Sequence, residues 1–110
     1  MYCIIQTYVV PGPVENFTLI ATSSDTLEVS WRDPSTINGV LLYFEISYHP
    51  SLDVTDDISV NITPNASGSY QIELGNLNAY TEYNVSIQAF TVAGGGIEEL
   101  RVERTLEGSK

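Results

Sequence analysis

Apolar residues recur at every second position in four stretches of the chain: Leu27, Val29 and Trp31; Phe44, Ile46 and Tyr48; Tyr70, Ile72 and Leu74; and Tyr83, Val85, Ile87 and Ala89. A two-residue repeat belongs to a strand with one buried face, because successive side chains point to opposite sides of a pleated sheet. The residues between them are polar: Glu28 and Ser30, Glu45 and Ser47, Gln71 and Glu73, then Asn84, Ser86 and Gln88. Turn-forming stretches separate the runs, at Asp33-Pro34-Ser35-Thr36, Asn38-Gly39, Pro64-Asn65-Ala66-Ser67-Gly68 and Gly94-Gly95-Gly96. No stretch carries a helical period. Short strands rich in β-branched and aromatic residues predict an all-β antiparallel sandwich with Trp31, Phe44, Ile46, Tyr48, Tyr83, Val85 and Ile87 facing its interior.

Composition narrows what such a sandwich can do. At 110 residues and 43% hydrophobic, the chain has material for one domain with one modest core. Four Lys+Arg against fourteen Asp+Glu give a formal charge of −10, which argues against nucleic acid or an anionic membrane surface as partner, since both select a basic face. No apolar run approaches the roughly 20 residues of a membrane span. The opening MYCIIQTYVV lacks the basic start and small-residue cleavage site of a signal peptide, so the chain reads as a piece of something larger.

Cys3 is the sole cysteine, so no disulfide forms within the chain and no thiolate metal site assembles; its plain reading is a small apolar residue. A lone cysteine hints at a reducing compartment. Against that stand four N-x-S/T acceptors for N-glycosylation, at Asn16, Asn61, Asn65 and Asn84, which favour the secretory pathway.

The ordered motifs resemble the fibronectin type III domain from Pro11 to about Glu107. The resemblance begins with Pro11-Gly12-Pro13 and the apolar Phe17 and Leu19, then Thr26-Leu27-Glu28-Val29-Ser30-Trp31 followed by Pro34. It continues through Asn38-Gly39-Val40-Leu41-Leu42-Tyr43-Phe44-Glu45-Ile46-Ser47-Tyr48, with Phe44 where the family more often has tyrosine. Its most specific stretch is Leu77-Asn78-Ala79-Tyr80-Thr81-Glu82-Tyr83-Asn84-Val85-Ser86-Ile87-Gln88-Ala89, with Ala79 where proline is usual. Gly94, Gly96 and Thr105-Leu106-Glu107 resemble the final loop and strand ending. The resemblance implies a seven-stranded immunoglobulin-like sandwich without a disulfide, Trp31 and Leu77 in the core, and Tyr83 as the tyrosine-corner residue that bonds backbone upstream. The true immunoglobulin pattern needs a cysteine two residues after that tyrosine; here the position is Val85, and no cysteine closely precedes Trp31.

Residues 11–107 are thus expected to form the domain, with 108–110 a short tail. Residues 1–10 resemble the end of a preceding repeat and its linker, a vector-derived terminus being the other origin. This uncharged stretch of high β propensity is also the most aggregation-prone in the chain.

Catalysis finds no support. His49, the one histidine, sits beside Pro50 near no serine or cysteine motif. Asp53, Asp56 and Asp57 lack the spacing of a calcium loop. The triple glycine has no lysine after it and lies between strands, so it is no phosphate loop. No enzyme activity, cofactor or metal site is expected.

Function is therefore expected on the surface. The resemblance implies a noncatalytic extracellular spacer and protein-interaction module of a cell-surface receptor or matrix protein, such as a receptor-type tyrosine phosphatase, monomeric when isolated and flanked by neighbours in a tandem array. Family members bind partners through loops at one end, which points to Thr91–Ile97 with Gly94, Gly95 and Gly96; Arg-Gly-Asp is absent from the whole chain. Tyr43, out of phase with inward Phe44, is the aromatic expected at the surface, for partner contact or to cover apolar surface locally. Sugars on Asn84, outward on its strand, and on Asn61 and Asn65, in the stretch expected to edge the same sheet, would shield that sheet and the sandwich edge and leave loops and termini free. Two other readings keep the fold: an intracellular structural module of the sarcomeric type with unused acceptors, and an accessory domain of a secreted enzyme.

Overall fold

The computed structural model describes residues 9–108. Cys3 and most of the expected N-terminal extension lie outside the described residues, as does the end of the C-terminal tail.

Strands form where the alternation predicts them. Leu27, Val29 and Trp31 are buried along β2 (Leu27–Arg32), and Phe44, Ile46 and Tyr48 along β3 (Tyr43–Pro50). In β6 (Glu82–Thr91) every odd-numbered residue from Tyr83 to Thr91 is buried. The other strands are β1 (Glu15–Ala21), β4 (Ile58–Ile62), β5 (Ser69–Leu74), β7 (Gly94–Gly95) and β8 (Glu99–Arg104). A three-stranded antiparallel sheet runs in the order β1-β2-β5. A second sheet runs β4-β3-β6, and β6 pairs along its other side with β7 and then β8.

The count is eight, against the seven expected, because the last strand is broken. Phe90 pairs with Gly95 and Ile87 with Glu99, so the register along β6 slips by one residue between β7 and β8. That slip is a bulge, which bends a strand and sharpens its twist. A second irregularity lies in β1, where Glu15 pairs with Arg32 but Thr18 with Ser30. The extra residue is Asn16, at φ 52°, a left-handed conformation that asparagine tolerates better than most residues. Beyond the bulge Phe17 turns into the core.

Between the sheets three rings cluster at one end, and Tyr48 and Tyr83 are buried toward the other. The Trp31 ring stacks on Tyr70 at 5.2 Å between centroids and meets Phe44 edge-on at 5.6 Å. Phe44 and Tyr70 lie 4.7 Å apart. Tilted and offset geometries of this kind suit the ring quadrupoles. The Tyr70 hydroxyl donates to Asp33 Oδ1 at 2.7 Å and accepts from the Asn65 amide at 3.2 Å. Burial first, then the Asp33 hydrogen bond, raises the Tyr70 pKa above its ordinary value. Leu27, Val29, Ile46, Val85, Ile87 and Ala89 are fully enclosed, and Leu77 closes the far end.

Leu77 precedes a corner where the chain crosses from one sheet to the other. The Asn78 N–H donates to the Tyr83 hydroxyl at 2.8 Å. Thr105, with 1% exposure, ties the same corner twice: its hydroxyl donates to the Asn78 carbonyl at 2.6 Å and accepts from the Thr81 N–H at 2.9 Å. The Leu106 N–H then donates to the Ser23 carbonyl, and the Tyr80 N–H to the Leu106 carbonyl. The chain thus leaves the domain held against both the β5–β6 corner and the β1–β2 turn.

Candidate functional site

The opposite end of the sandwich gathers the loop before β3, the β6–β7 turn and the segment that leads into β1. Its shape follows from three backbone constraints. Asn38 at φ 58° and Gly39 at φ 151° turn the chain toward β3. Thr91 ends β6 with its hydroxyl accepting from the Ala93 N–H at 3.1 Å, a side-chain turn that Val92 and Ala93 complete. Gly94, at φ 116°, takes the positive-φ position that starts the return strand, with open space where a Cβ would stand.

Into this cluster the incoming chain is stitched. Asn38 Nδ2 donates to the Val10 carbonyl at 3.0 Å, the Gly12 N–H to the Thr36 carbonyl at 2.8 Å, and the Ile97 N–H to the Pro11 carbonyl at 3.2 Å. Pro11 is fully buried. Gly96 makes this possible, since a Cβ there would lie 2.3 Å from the Pro11 carbonyl oxygen. The break between β7 and β8 falls here because Gly96 and Ile97 turn to meet Pro11 as well as β6. The Gly96 N–H still donates to the Ala89 carbonyl at 2.7 Å.

Gly96→Ala is accordingly expected to loosen the incoming segment. With a backbone oxygen in the way, the overpacking destabilises by about 1–2 kcal/mol. In hydrogen exchange the Ile97 and Gly12 amides lose protection while the β2 and β3 amides keep theirs. Unchanged protection at Ile97 would show that the close approach is not tight.

The residues singled out in the sequence occupy different roles here. Tyr43 is half-buried, not a free aromatic: its ring stacks on Phe90 of the neighbouring strand at 4.7 Å and 11°, so much of its face covers apolar surface locally. Gly95 and Gly96 do not form the loop tip. Gly95 fits under Gln88 and Phe90, and Gly96 is buried under Pro11. The tip is Val92, 79% exposed, and the same end exposes Val9, Val40 and Ile97. These apolar side chains were not found by pattern, because they fall in loops without periodicity.

Of the glycosylation acceptors, Asn16, Asn61 and Asn65 are exposed and Asn84 is half-exposed on the outer face of β6. Asn61 lies on β4, the edge of the same sheet. Asn65 caps its own turn: its Oδ1 accepts from the Ser67 hydroxyl and the Gly68 N–H, and its Nδ2 donates to the Ser69 carbonyl.

His49 turns its Nδ1 toward the Pro50 carbonyl at 2.8 Å. Asp53 Oδ1 accepts from the Thr55 N–H and hydroxyl, which makes the acidic cluster a local turn. Among the described residues no three His, Cys, Asp or Glu side chains converge as metal ligands would.

Comparison with known proteins agrees with this architecture. The fibronectin type III domain family model matches residues 12–105. The chain is 29% identical over 99 residues to tyrosine-protein phosphatase 99A of Drosophila melanogaster, covering 86% of this chain and 7% of that protein. It is 33% identical over 92 residues to human cell adhesion molecule DSCAM, covering 82% of this chain and 4% of that one. Among solved structures, the fn3 domain of human collagen alpha-1(XX) chain superposes with a TM-score of 0.76 at 25% identity, over 96% of this chain and 94% of the other. The chain thus spans under a tenth of the length of the two curated relatives.

Proposed function

The chain belongs to the fibronectin type III domain family, and on that premise we propose that it is a noncatalytic extracellular module of a cell-surface receptor or adhesion protein, acting as spacer and protein-interaction unit between neighbouring domains. One observation carries the reading: every glycosylation acceptor asparagine lies at the surface, outside the core, and none requires the sandwich to open. The names of the relatives, a cell adhesion molecule and tyrosine-protein phosphatases among them, support it. The stitched segments at the two ends suit a unit joined in line to others, since each ordered end fixes the direction of the adjoining chain. Partner contact falls to the β6–β7 turn and the exposed valines beside the incoming segment, with Tyr43 and Phe90 as a stacked wall behind them.

Intact mass tests the location. The chain, secreted from an animal cell line and folded, is expected to lose more than one glycan mass on treatment with peptide N-glycosidase. An unchanged mass on a secreted, folded chain would overturn the extracellular reading in favour of an intracellular structural module.

A further inference from the structure

On the outer face of the five-stranded sheet, away from the loop end, lies a cleft of about 400 Å³. Its floor is a row of hydroxyls. Ser47 pairs with Ser59 on one side and Ser86 on the other, and Ser86 pairs in turn with Leu100. The next row along holds His49, Asn84 and Val102. Val54 stands on one side at 68% exposure and Leu100 on the other at about half exposure. Asp57 and Glu98 at the rim make the cleft unsuited to an anion. A neutral ligand with both hydroxyls and an apolar face fits such a lining.

Asn84 sits in this floor as the first residue of an N-x-S acceptor, with Ser86 as its third. The Ser51 hydroxyl donates to Asn84 Oδ1 at 2.6 Å, which fixes the amide plane. Among the described residues Nδ2 has no hydrogen-bond partner and is not among the buried unpaired polar atoms, and Asn84 lines the cleft.

We propose that Asn84 carries an N-linked glycan whose first N-acetylglucosamine units lie in this cleft, so that the sheet binds its own covalently attached sugar. This rests on the extracellular reading above. In the attachment step, Nδ2 bonds to the anomeric carbon of an oligosaccharide carried on a polyprenyl diphosphate. The anomeric C–O bond breaks, the diphosphate leaves with the electron pair, and Nδ2 gives up one proton. Oδ1 is untouched, so the Ser51 hydrogen bond survives. Asn84 and Ser86, successive same-face residues of β6, stand about 6.7 Å apart, and Ser47 pairs with Ser86 across to β3, which leaves room for one sugar ring over the two serines. The acetamido and hydroxyl groups meet the serines, and the carbon face of the ring covers Leu100. Tethering raises the local concentration to the millimolar range or above, so contacts too weak to hold a free sugar suffice.

The test uses the whole chain, secreted from animal cells and, in parallel, made in bacteria without glycans, each as wild type and as Ser86→Ala. Glycopeptide mapping is expected to find Asn84 occupied in the secreted wild type. Ser86→Ala, which abolishes that acceptor, is expected to lower Tm of the secreted protein by about 4 °C and of the bacterial protein by less than about 1 °C. Equal shifts in both hosts would assign the effect to the serine itself and overturn the cleft as a sugar site. Sugar on Asn61 with none on Asn84 overturns this site alone. A secreted chain with no sugar at any acceptor overturns both this site and the extracellular reading.

Discussion

Trp31→Ala is expected to destabilise the domain by about 3–5 kcal/mol, a large part of what a chain of this size has. The indole is 2% exposed and touches Tyr70 face-on and Phe44 edge-on, so truncation removes the common member of the ring cluster and leaves a cavity that two other rings line. Backbone relaxation cannot close it, because Trp31 is in the central strand of its sheet, with pairing on both sides. Trp31→Phe separates volume from chemistry. The indole Nε1 is buried with no hydrogen-bond partner, and an unpaired buried donor is unfavourable. Phenylalanine loses contact area but also loses that donor, so its penalty is expected to stay below about 2 kcal/mol. Urea or guanidinium unfolding of the two variants measures both. A loss under 1 kcal/mol for alanine would mean that the ring cluster is not what holds the sheets together at this end.

Thr105→Val is expected to destabilise by about 2–3 kcal/mol with almost no change in volume. The threonine hydroxyl serves two backbone groups of the corner at once, the Thr81 N–H and the Asn78 carbonyl. Valine fills the same space and serves neither. The neighbouring bond from Asn78 N–H to Tyr83 is not touched by the substitution, so the corner keeps one of its ties. Combining Thr105→Val with Tyr83→Phe is expected to give a loss different from the sum of the two, since both act on one short segment. Strict additivity in that double-mutant cycle would refute the shared corner.

Four of the strands, β2, β3, β5 and β6, were legible in the sequence because burial on one face imposes a two-residue period. Trp31, Phe44, Ile46, Tyr48, Tyr83, Val85 and Ile87 all sit on buried faces that alternate with wet residues. Tyr70 was in phase as well, but its part in the ring cluster and its bond to Asp33 depend on two strands and a loop far apart in sequence. The left-handed residues Asn16, Asn76 and Tyr80 left little trace, since a single positive φ has no periodic signature. The last strand shows the limit most plainly. Three glycines announced a turn between strands, and Gly94 does supply one. That Gly96 exists for the close approach of Pro11, 85 positions earlier, is a property of the assembled end, as is the one-residue slip that splits β7 from β8. The partner surface was harder to read for the same reason: glycines and Tyr43 stood out in the chain, whereas Val92, Val40 and Ile97 are conspicuous only once folding has left them uncovered.

The two stitched ends have a mechanical corollary. The chain comes in at Val10, beside Thr36 and Ile97, and goes out at Leu106, beside Ser23 and Tyr80, on the far side of the sandwich. Tension between these points runs along the strands. Ladder hydrogen bonds lie across the strands, so β1 on β2 and β8 on β6 meet such a load in shear, many bonds together, and cannot be unzipped one at a time. The few separate bonds at Val10 to Gly12 and at Leu106 are expected to yield before these ladders. Their release lengthens the molecule by a few residues at each end while the core stays shut, which makes them extensible joints in series with a stiff body.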